Sequence, residues 1–255
     1  MATMVAGGAT HAGKVRPDNE DGLLIQAELG LFVVADGMGG HKAGEVASSL
    51  ALESIKSFLL RASKDDDHTW PFGLERTLDR NGNRLRTAVK LANRRVFKES
   101  ERRDEYTGMG TTVAAVLAEG DSAVVCGVGD SRVYLIRDGA MDCLTRDHTW
   151  VEALLAQTPG LDRATLANHP MRHVLTNVVG AQDEVDVTVT SHHVAKRERL
   201  LLCTDGIHGS IPDSRIADIV RSAATPAEAA NALVQAALAG DGRDNLTAVV
   251  AEMVS

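Results

Sequence analysis

The apolar pattern predicts an α+β fold, in which strands cluster instead of alternating one by one with helices. Three observations carry this. Residues 111–118, 122–128 and 131–137 are consecutive β-rich runs parted only by Glu119-Gly120-Asp121 and Gly129-Asp130, turn chemistry that predicts a meander. Four long segments with helical spacing fall in two pairs, one in each half of the chain. Further strand-like runs, residues 5–10 and 246–251, stand near the two ends.

Taken in order, residues 5–10 and 22–27 read as strands flanking the segment HAGKVRPDNED. Within it Arg16 stands four residues before Glu20, and Asp21 follows. Pro17 and Asn19 favour an irregular turn there, so these charges can converge without helical spacing; a surface ion-pair network is the competing reading. Residues 31–35 form a Val-rich buried strand that delivers Asp36 among Gly37, Gly39 and Gly40. From Ala43 the apolar residues Val46, Ala47, Leu50, Ala51, Ile55 and Phe58 recur at helical spacing. A strand, glycine loop and helix can cradle phosphate, but this loop has neither GxxxxGK[ST] nor GxGxxG spacing. Its leading carboxylate would repel a phosphate unless a cation lay between them. An Asp-Gly pair at a strand end is also ordinary turn chemistry, so a functional reading needs partners elsewhere.

Leu74, Leu78, Leu85, Val89, Ala92 and Val96 mark a long second helix that passes Gly82 near its start. Its many arginines are read as a solvated face in an otherwise acidic chain. After the three strands, residues 149–156 and 162–168 read as short helices broken by Pro159-Gly160, and Val185, Val187 and Val189 alternate as a half-exposed strand. Residues 198–203 form a buried strand ending in Thr204-Asp205-Gly206, the second Asp-Gly at a strand end. Two helices follow, the latter with Thr225 as N-cap, Pro226 at the first helical position and Glu228 placed for a capping box. Asp244 stands just before the last strand, residues 246–251.

Composition bounds the function. The chain has 255 residues, expected to form a single domain (1–255), since no linker-like shift in composition divides it. The Asp65-Asp66-Asp67 run is read as a solvated loop. A net charge of −8 argues against a nucleic-acid or anionic-membrane surface. No apolar run has the length of a membrane span, and residues 1–14 lack the pattern of a signal peptide, so a cytoplasmic location is expected. Cys126, Cys143 and Cys203 lack CxxC spacing and are read as free, the first and last as small core residues.

Acidic residues thus recur at the ends of core strands, at Asp36, Asp205 and Asp244, with Glu20, Asp21 and Asp130 in loops beside other strands. Oxygen ligands of this kind suit Mg²⁺ or Mn²⁺ better than zinc, which prefers His or Cys. Each aspartate alone has a bland explanation as a turn former.

The segments RPDNED, DGMGGHKAGEVAS, GMGTT, GDSRVY, LTRDHTW, HVLTNVVG, LLCTDG and DNLTAVV occur in the order found in the metal-dependent Ser/Thr protein phosphatases of type 2C, in their bacterial form. The resemblance runs from about Thr10 to Val250. It implies a four-layer α-β-β-α sandwich, two mainly antiparallel sheets flanked by helix pairs, with a metal centre at one end. It implies that Asp36 bridges two tightly held Mg²⁺ or Mn²⁺ ions, that the Gly37 carbonyl completes one shell, and that Asp205 and Asp244 hold the other ion. Glu20 and Asp21 match acids that orient water on the metals, Asp130 a ligand of a third, weaker ion shared with Asp205, and Arg16 the arginine that grips the phosphate. His148 and Thr149 match a segment tying a variable flap, about residues 150–172, to the sheet. The chain departs from many eukaryotic relatives by having Met38, a side chain that cannot donate a proton, where they have a histidine. His41 is then a candidate donor.

What the resemblance implies is a phosphatase of phosphoserine and phosphothreonine in proteins, opposing a Ser/Thr protein kinase and acting as a monomer. The alternatives are a catalytically silent member that binds a phosphorylated protein, which retention of Asp36, Asp205 and Asp244 disfavours, and a phosphatase dedicated to one regulatory protein.

Overall fold

The structure, a computed structural model, describes residues 4–40, 42–64, 70–166 and 169–254. Two antiparallel sheets lie face to face. The first has the order β1 (Met4–His11), β11 (Leu246–Met253), β10 (Arg199–Cys203), β7 (Arg132–Arg137), β8 (Ala140–Cys143). The second runs β2 (Asp21–Gln26), β3 (Leu31–Met38), β5 (Val113–Glu119), β6 (Ser122–Val128), β9 (Thr188–His193), and the two-residue β4 (Gly110–Thr111) pairs with the end of β3. Helices α1 (Ala43–Ala62) and α2 (Arg80–Arg102) cover the outer face of the second sheet, and α6 (Asp213–Ser222) and α7 (Pro226–Ala239) that of the first. Three shorter helices, α3 (Trp150–Gln157), α4 (Arg163–Leu166) and α5 (Asp205–His208), lie in the connections. This is the α-β-β-α sandwich expected.

Strand periodicity explains the three-part core. Phe32 and Val34 of β3, Val133 and Leu135 of β7, Leu200 and Leu202 of β10, and Val249 and Ala251 of β11 meet between the sheets. Alternate residues on the same strands, such as Val33, Leu201 and Val250, face the helices instead. Both faces of these central strands are buried, which is why they read as continuous apolar runs.

Several expectations need correction. Residues 111–137 are not a meander: β5 and β6 form a hairpin, but the chain then crosses at Gly129-Asp130-Ser131 to the other sheet, where β7 pairs with β10. Gly129, at φ +90°, makes the crossing, and its Cα lies so close to Thr112 that a Cβ would approach the threonine side chain to 2.6 Å. The second helix begins at Arg80, because the Asp79 carboxylate accepts the Gly82 N–H at 2.6 Å and caps it there; Leu74 and Leu78 precede the helix, and Leu74 is exposed. The strand expected at residue 185 starts at Thr188, since the Asn177 side-chain amide takes both the carbonyl (2.8 Å) and the N–H (3.3 Å) of Asp186. The second Asp-Gly opens α5 instead of making a turn, and β8 was not expected. The expected cap of α7 is present: Thr225 Oγ1 accepts the Glu228 N–H at 3.2 Å, while the Glu228 carboxylate accepts the N–H of Ala224 at 3.1 Å. The Asp65-Asp66-Asp67 run lies outside the described residues.

Helix α7 rests on β1 at Gly7, where a Cβ would stand 2.3 Å from the Ala227 Cα and 2.5 Å from its backbone nitrogen. Neither is a flexible tip that can move aside. Gly7→Ala is expected to cost about 1–3 kcal/mol or more by overpacking, lowering Tm by roughly 2–12 °C. Gly40→Ala, where a Cβ meets nothing within 4 Å, is the control for Tm. An unchanged Tm for Gly7→Ala would mean that α7 is not seated on β1 at this point.

Candidate metal centre

The inward-facing rows of the sandwich turn polar at one end. On β3 the series Phe32, Val34 continues to Asp36; on β2, Leu23 and Ile25 lead back to Asp21; and Asp21 and Asp36 are direct cross-strand partners. By the same alternation the rows of β5, β7, β10 and β11 end in Thr112, Ser131, Thr204 and Thr247. Asp205 follows Thr204 at the start of α5, Asp244 stands two residues before β11, and Asp130 lies in the crossing before β7. The antiparallel registers Cys203↔Ala248 and Cys203↔Arg132 put these three strand ends side by side.

Hydroxyls and amides hold the layer in place. Thr204 Oγ1 donates to Asp21 Oδ2 at 2.9 Å, and the Thr247 N–H donates to Thr204 Oγ1 at 3.2 Å. Thr112 Oγ1 accepts the Asp36 N–H at 2.9 Å and bonds Ser131 Oγ at 2.7 Å, while the Asp36 carbonyl accepts from Thr111 Oγ1 (2.9 Å) and the Thr112 N–H (2.8 Å). Asn245 acts as a clasp: its Oδ1 accepts the Glu20 N–H at 2.8 Å and its Nδ2 donates to the carbonyls of Ala12 (2.9 Å) and Asp18 (3.0 Å). Glu20 closes over the first turn of α1, where a Cβ at Gly44 would stand 2.3 Å from Glu20 Oε1, and one at Gly37 would stand 2.0 Å from the Gly44 carbonyl oxygen. Only glycines allow strand, helix and glutamate to approach so closely.

Electrostatically the layer is unbalanced. Asp36 is pushed well above the usual carboxylate range, first by burial and then by Asp21, Asp205, Asp130 and Asp244. Asp21 and Asp130 are each raised to about 7, again chiefly by burial, with Asp205 adding to both. Asp205 is raised by burial and by Asp244, and Glu20 by burial. Glu20 Oε1, Asp21 Oδ1 and Asp205 Oδ1 are buried and accept no hydrogen bond. Buried oxygens left without donors, among carboxylates that repel one another, fit hard cations. Among the described residues no three His, Cys, Asp or Glu side chains form a closed ligand set. Carboxylate oxygens of this kind suit Mg²⁺ or Mn²⁺, hard ions that keep several of their waters.

Arg16 reaches the same end of the sandwich but is half-exposed, its Nη2 bonded to Asp244 Oδ2 at 2.9 Å. An exposed pair of this kind is worth about 0–1 kcal/mol, so Arg16 can exchange partners at little cost. His148 and Thr149 tie the flap down: the His148 N–H donates to the Gly129 carbonyl at 2.8 Å, His148 Nδ1 accepts the Gly129 N–H at 3.2 Å, and Thr149 caps α3. The flap, with α3 and α4, borders a groove of about 610 Å³ that Asp130 and Asp205 also line. His41 lies outside the described residues. The sequence reading did not assign Thr111, Thr112, Ser131, Thr204, Thr247, Asn245 or His208. For Thr112, Ser131, Thr204 and Thr247 a signal existed, since each continues an inward-facing row beyond its last apolar residue.

The protein phosphatase 2C family description matches residues 8–240. The serine/threonine protein phosphatase PstP of Mycobacterium tuberculosis is 36% identical over 246 residues, which are 95% of this chain and 43% of that protein. The chain thus spans less than half the length of that relative. The crystal structure of the M. tuberculosis serine/threonine phosphatase PstP/Ppp superposes with a TM-score of 0.85 at 32% identity, covering 99% of this chain and 100% of the other. A crystal structure of the PstP catalytic domain in complex with two manganese ions gives a TM-score of 0.82 at 33% identity, with each chain covered in full (100%). With a match this long and the same sandwich, the chain belongs to the protein phosphatase 2C family, as a catalytic domain of the bacterial Ser/Thr phosphatase type.

Proposed function

We propose that this chain hydrolyses phosphoserine and phosphothreonine in proteins with Mg²⁺ or Mn²⁺ held at the acidic end of the sandwich. The observation that carries this is the convergence of Asp36, Asp205 and Asp244 beside buried carboxylate oxygens that lack donors. In this reading Asp36, the Gly37 carbonyl, Asp205 and Asp244 would hold the two ions, and Glu20 and Asp21 would orient water beside them. Asp130 and Asp205 would together hold a third, weaker ion. The two manganese ions of the PstP catalytic domain support the pair. When bound, such a pair supplies an activated water and neutralises the charge of a phosphate dianion.

The chain's own residues do the rest. Asp36, fixed at its backbone by Thr111 and Thr112, presents its carboxylate at one place throughout the reaction. Arg16 leaves Asp244 and forks two N–H bonds to phosphate oxygens, which orients phosphorus and offsets its charge. Met38 offers no proton, so the leaving oxygen draws its proton from water in the open groove beside Asp130. A cytoplasmic monomer opposing a Ser/Thr kinase completes the proposal. Among the described residues no helix is long and apolar enough to cross a membrane.

The deciding experiment is phosphate release from phosphothreonine and phosphotyrosine peptides with Mn²⁺ or with chelator. Mn²⁺-dependent release from the phosphothreonine peptide is expected, and well-folded protein without it would sink the reading. Arg16→Ala is expected to lower kcat/KM about 10- to 100-fold, the loss of a charged hydrogen bond of roughly 1.5–3 kcal/mol, with tight Mn²⁺ binding unchanged by calorimetry. Loss of tight metal in that variant would make Arg16 a structural residue.

The crowded carboxylates also predict a pH dependence. An acid whose folded pKa is raised binds more protons folded than unfolded, so its stabilising contribution is full below the unfolded value and is lost as pH rises through the folded one. For Asp130 that window runs from about 4 to about 7. His208, lowered to about 4 by burial, acts in the opposite sense, losing stability as pH falls below about 6.5. Comparing variants isolates the aspartate. Metal-free Asp130→Asn is expected to melt above the parent at pH 7.5, with the gap closing by pH 4.5. A variant melting below the parent at both pH values would show that Asp130 carries no repulsive strain.

A further inference from the structure

His208 is a polar group for which the proposed chemistry has no use. It closes the four-residue α5, three positions after Asp205, and lines the flap groove with Asp130 and Asp205. Its Nε2 lies 3.0 Å from the backbone carbonyl oxygen of Asp130. A carbonyl can only accept, so Nε2 carries the hydrogen and donates it. Asp205 is fixed from the other side of the same turn, its carbonyl accepting the Gly209 N–H at 2.7 Å. The bond therefore joins two elements that nothing covalent holds in register. One is the crossing that leads Asp130 out of β6, and the other is the helix that Asp205 opens.

The rest of the Asp130 turn is anchored away from this gap. Ser131, the next residue, bonds Thr112 and through it Asp36. Arg132, two residues on, pairs with Asp147 through two bonds, at 2.9 and 2.7 Å. These contacts fix the far side of the turn, while the Asp130 carbonyl is fixed toward Asp205 by His208 alone among the hydrogen bonds of the described residues. The two carboxylates line one groove and, when both are ionised, repel each other as like charges. Without a tether this turn can relax outward.

We propose that His208 is a positioning residue: by holding the Asp130 carbonyl against α5 it sets the gap between the Asp130 and Asp205 carboxylates, and with it the affinity of the weaker divalent-ion site. This rests on the reading that Asp130 and Asp205 share that third ion. It makes the fourth residue after Thr204, and not only the aspartates, a determinant of how much Mn²⁺ the protein needs.

The test counts Mn²⁺ bound to initially metal-free protein by the paramagnetic resonance signal of the free ion, for the parent and for His208→Gln, His208→Asn, His208→Leu and Asp130→Asn. Gln extends an amide donor to about the reach of Nε2; Asn keeps the chemistry but falls short. The tight pair is expected to be unchanged in all three His208 variants. The weaker site is expected to lose about 10-fold or more in affinity in His208→Asn and His208→Leu and to stay within about 3-fold of the parent in His208→Gln. The Mn²⁺ concentration for half-maximal kcat is expected to move in parallel. If Asp130→Asn loses the weaker site and the His208 variants all keep it, His208 merely packs and the proposal is overturned. If Asp130→Asn binds as many ions as the parent with the same affinities, the third-ion reading itself fails and takes the role of His208 with it. Should His208→Leu not fold, the contrast between Gln and Asn decides.

Discussion

Carboxylates gathered at the end of an apolar sandwich repel one another, and this repulsion is the constraint that the surrounding structure answers. Burying a charge without a partner costs several kcal/mol, so such a layer persists only if its members stay protonated, find donors, or bind cations. All three responses are visible. Asp36, Asp21 and Asp130 are pushed toward their protonated forms. Thr204 gives one oxygen of Asp21 a donor. Glu20 Oε1, Asp21 Oδ1 and Asp205 Oδ1 are left without donors, open to a cation or to its waters. The acidic end of the domain is therefore strained, and in the proposed reading cation binding would offset that strain.

The scaffold around this layer is rigid for an elementary reason. Central strands buried on both faces cannot slip by one residue without exchanging the inter-sheet row for the helix-facing row. Register fixed in this way carries on past the last apolar residue, so that Asp36 is placed by Phe32 and Val34 as firmly as by its own hydrogen bonds. Helix α1 contributes through its first turn, where Gly44 admits Glu20 against the backbone of Gly37. Packing at the middle of the molecule thus becomes geometry at its end. The flap is held differently, by a few backbone bonds around His148 and Thr149, and it lines the groove together with Asp130 and Asp205.

Legibility in the sequence followed locality. Asp36, Asp205 and Asp244 could be found because each ends or precedes a run of apolar residues that only a buried strand explains. The start of helix α7 could be placed to the residue because Thr225, Pro226 and Glu228 fall within one turn. The turn at Gly129-Asp130 could not be read, because hairpin and crossing use the same turn residues and differ only in the partner that β7 finds, β10, some 65 residues later. Leu74 and Leu78 extended a helical pattern whose true start is a single capping bond at Asp79. The roles of Thr112, Ser131 and Asn245 are long-range in the same way, each linking segments that lie far apart in the chain.

The misread turn is also where the site gains its asymmetry. Had β6 and β7 formed a hairpin, Asp130 would have stayed beside its own sheet; by crossing, the chain carries that carboxylate to the seam between the sheets, opposite the helix that begins at Asp205. A crossing has no ladder of backbone bonds to hold it, so its position depends on side chains: Ser131 toward Asp36, Arg132 toward Asp147, His208 toward Asp130. The acids thus fall into two kinds. Asp36 and Asp21 sit on paired strands and inherit the stiffness of the sheet, whereas Asp130 sits on a tethered turn and inherits only the stiffness of its tethers. In the proposed reading a cation held through the first kind would meet a preformed site, and one held through the second would share its binding energy with ordering the turn. That difference by itself would make a site at Asp130 the weaker one, before any count of ligand oxygens is made.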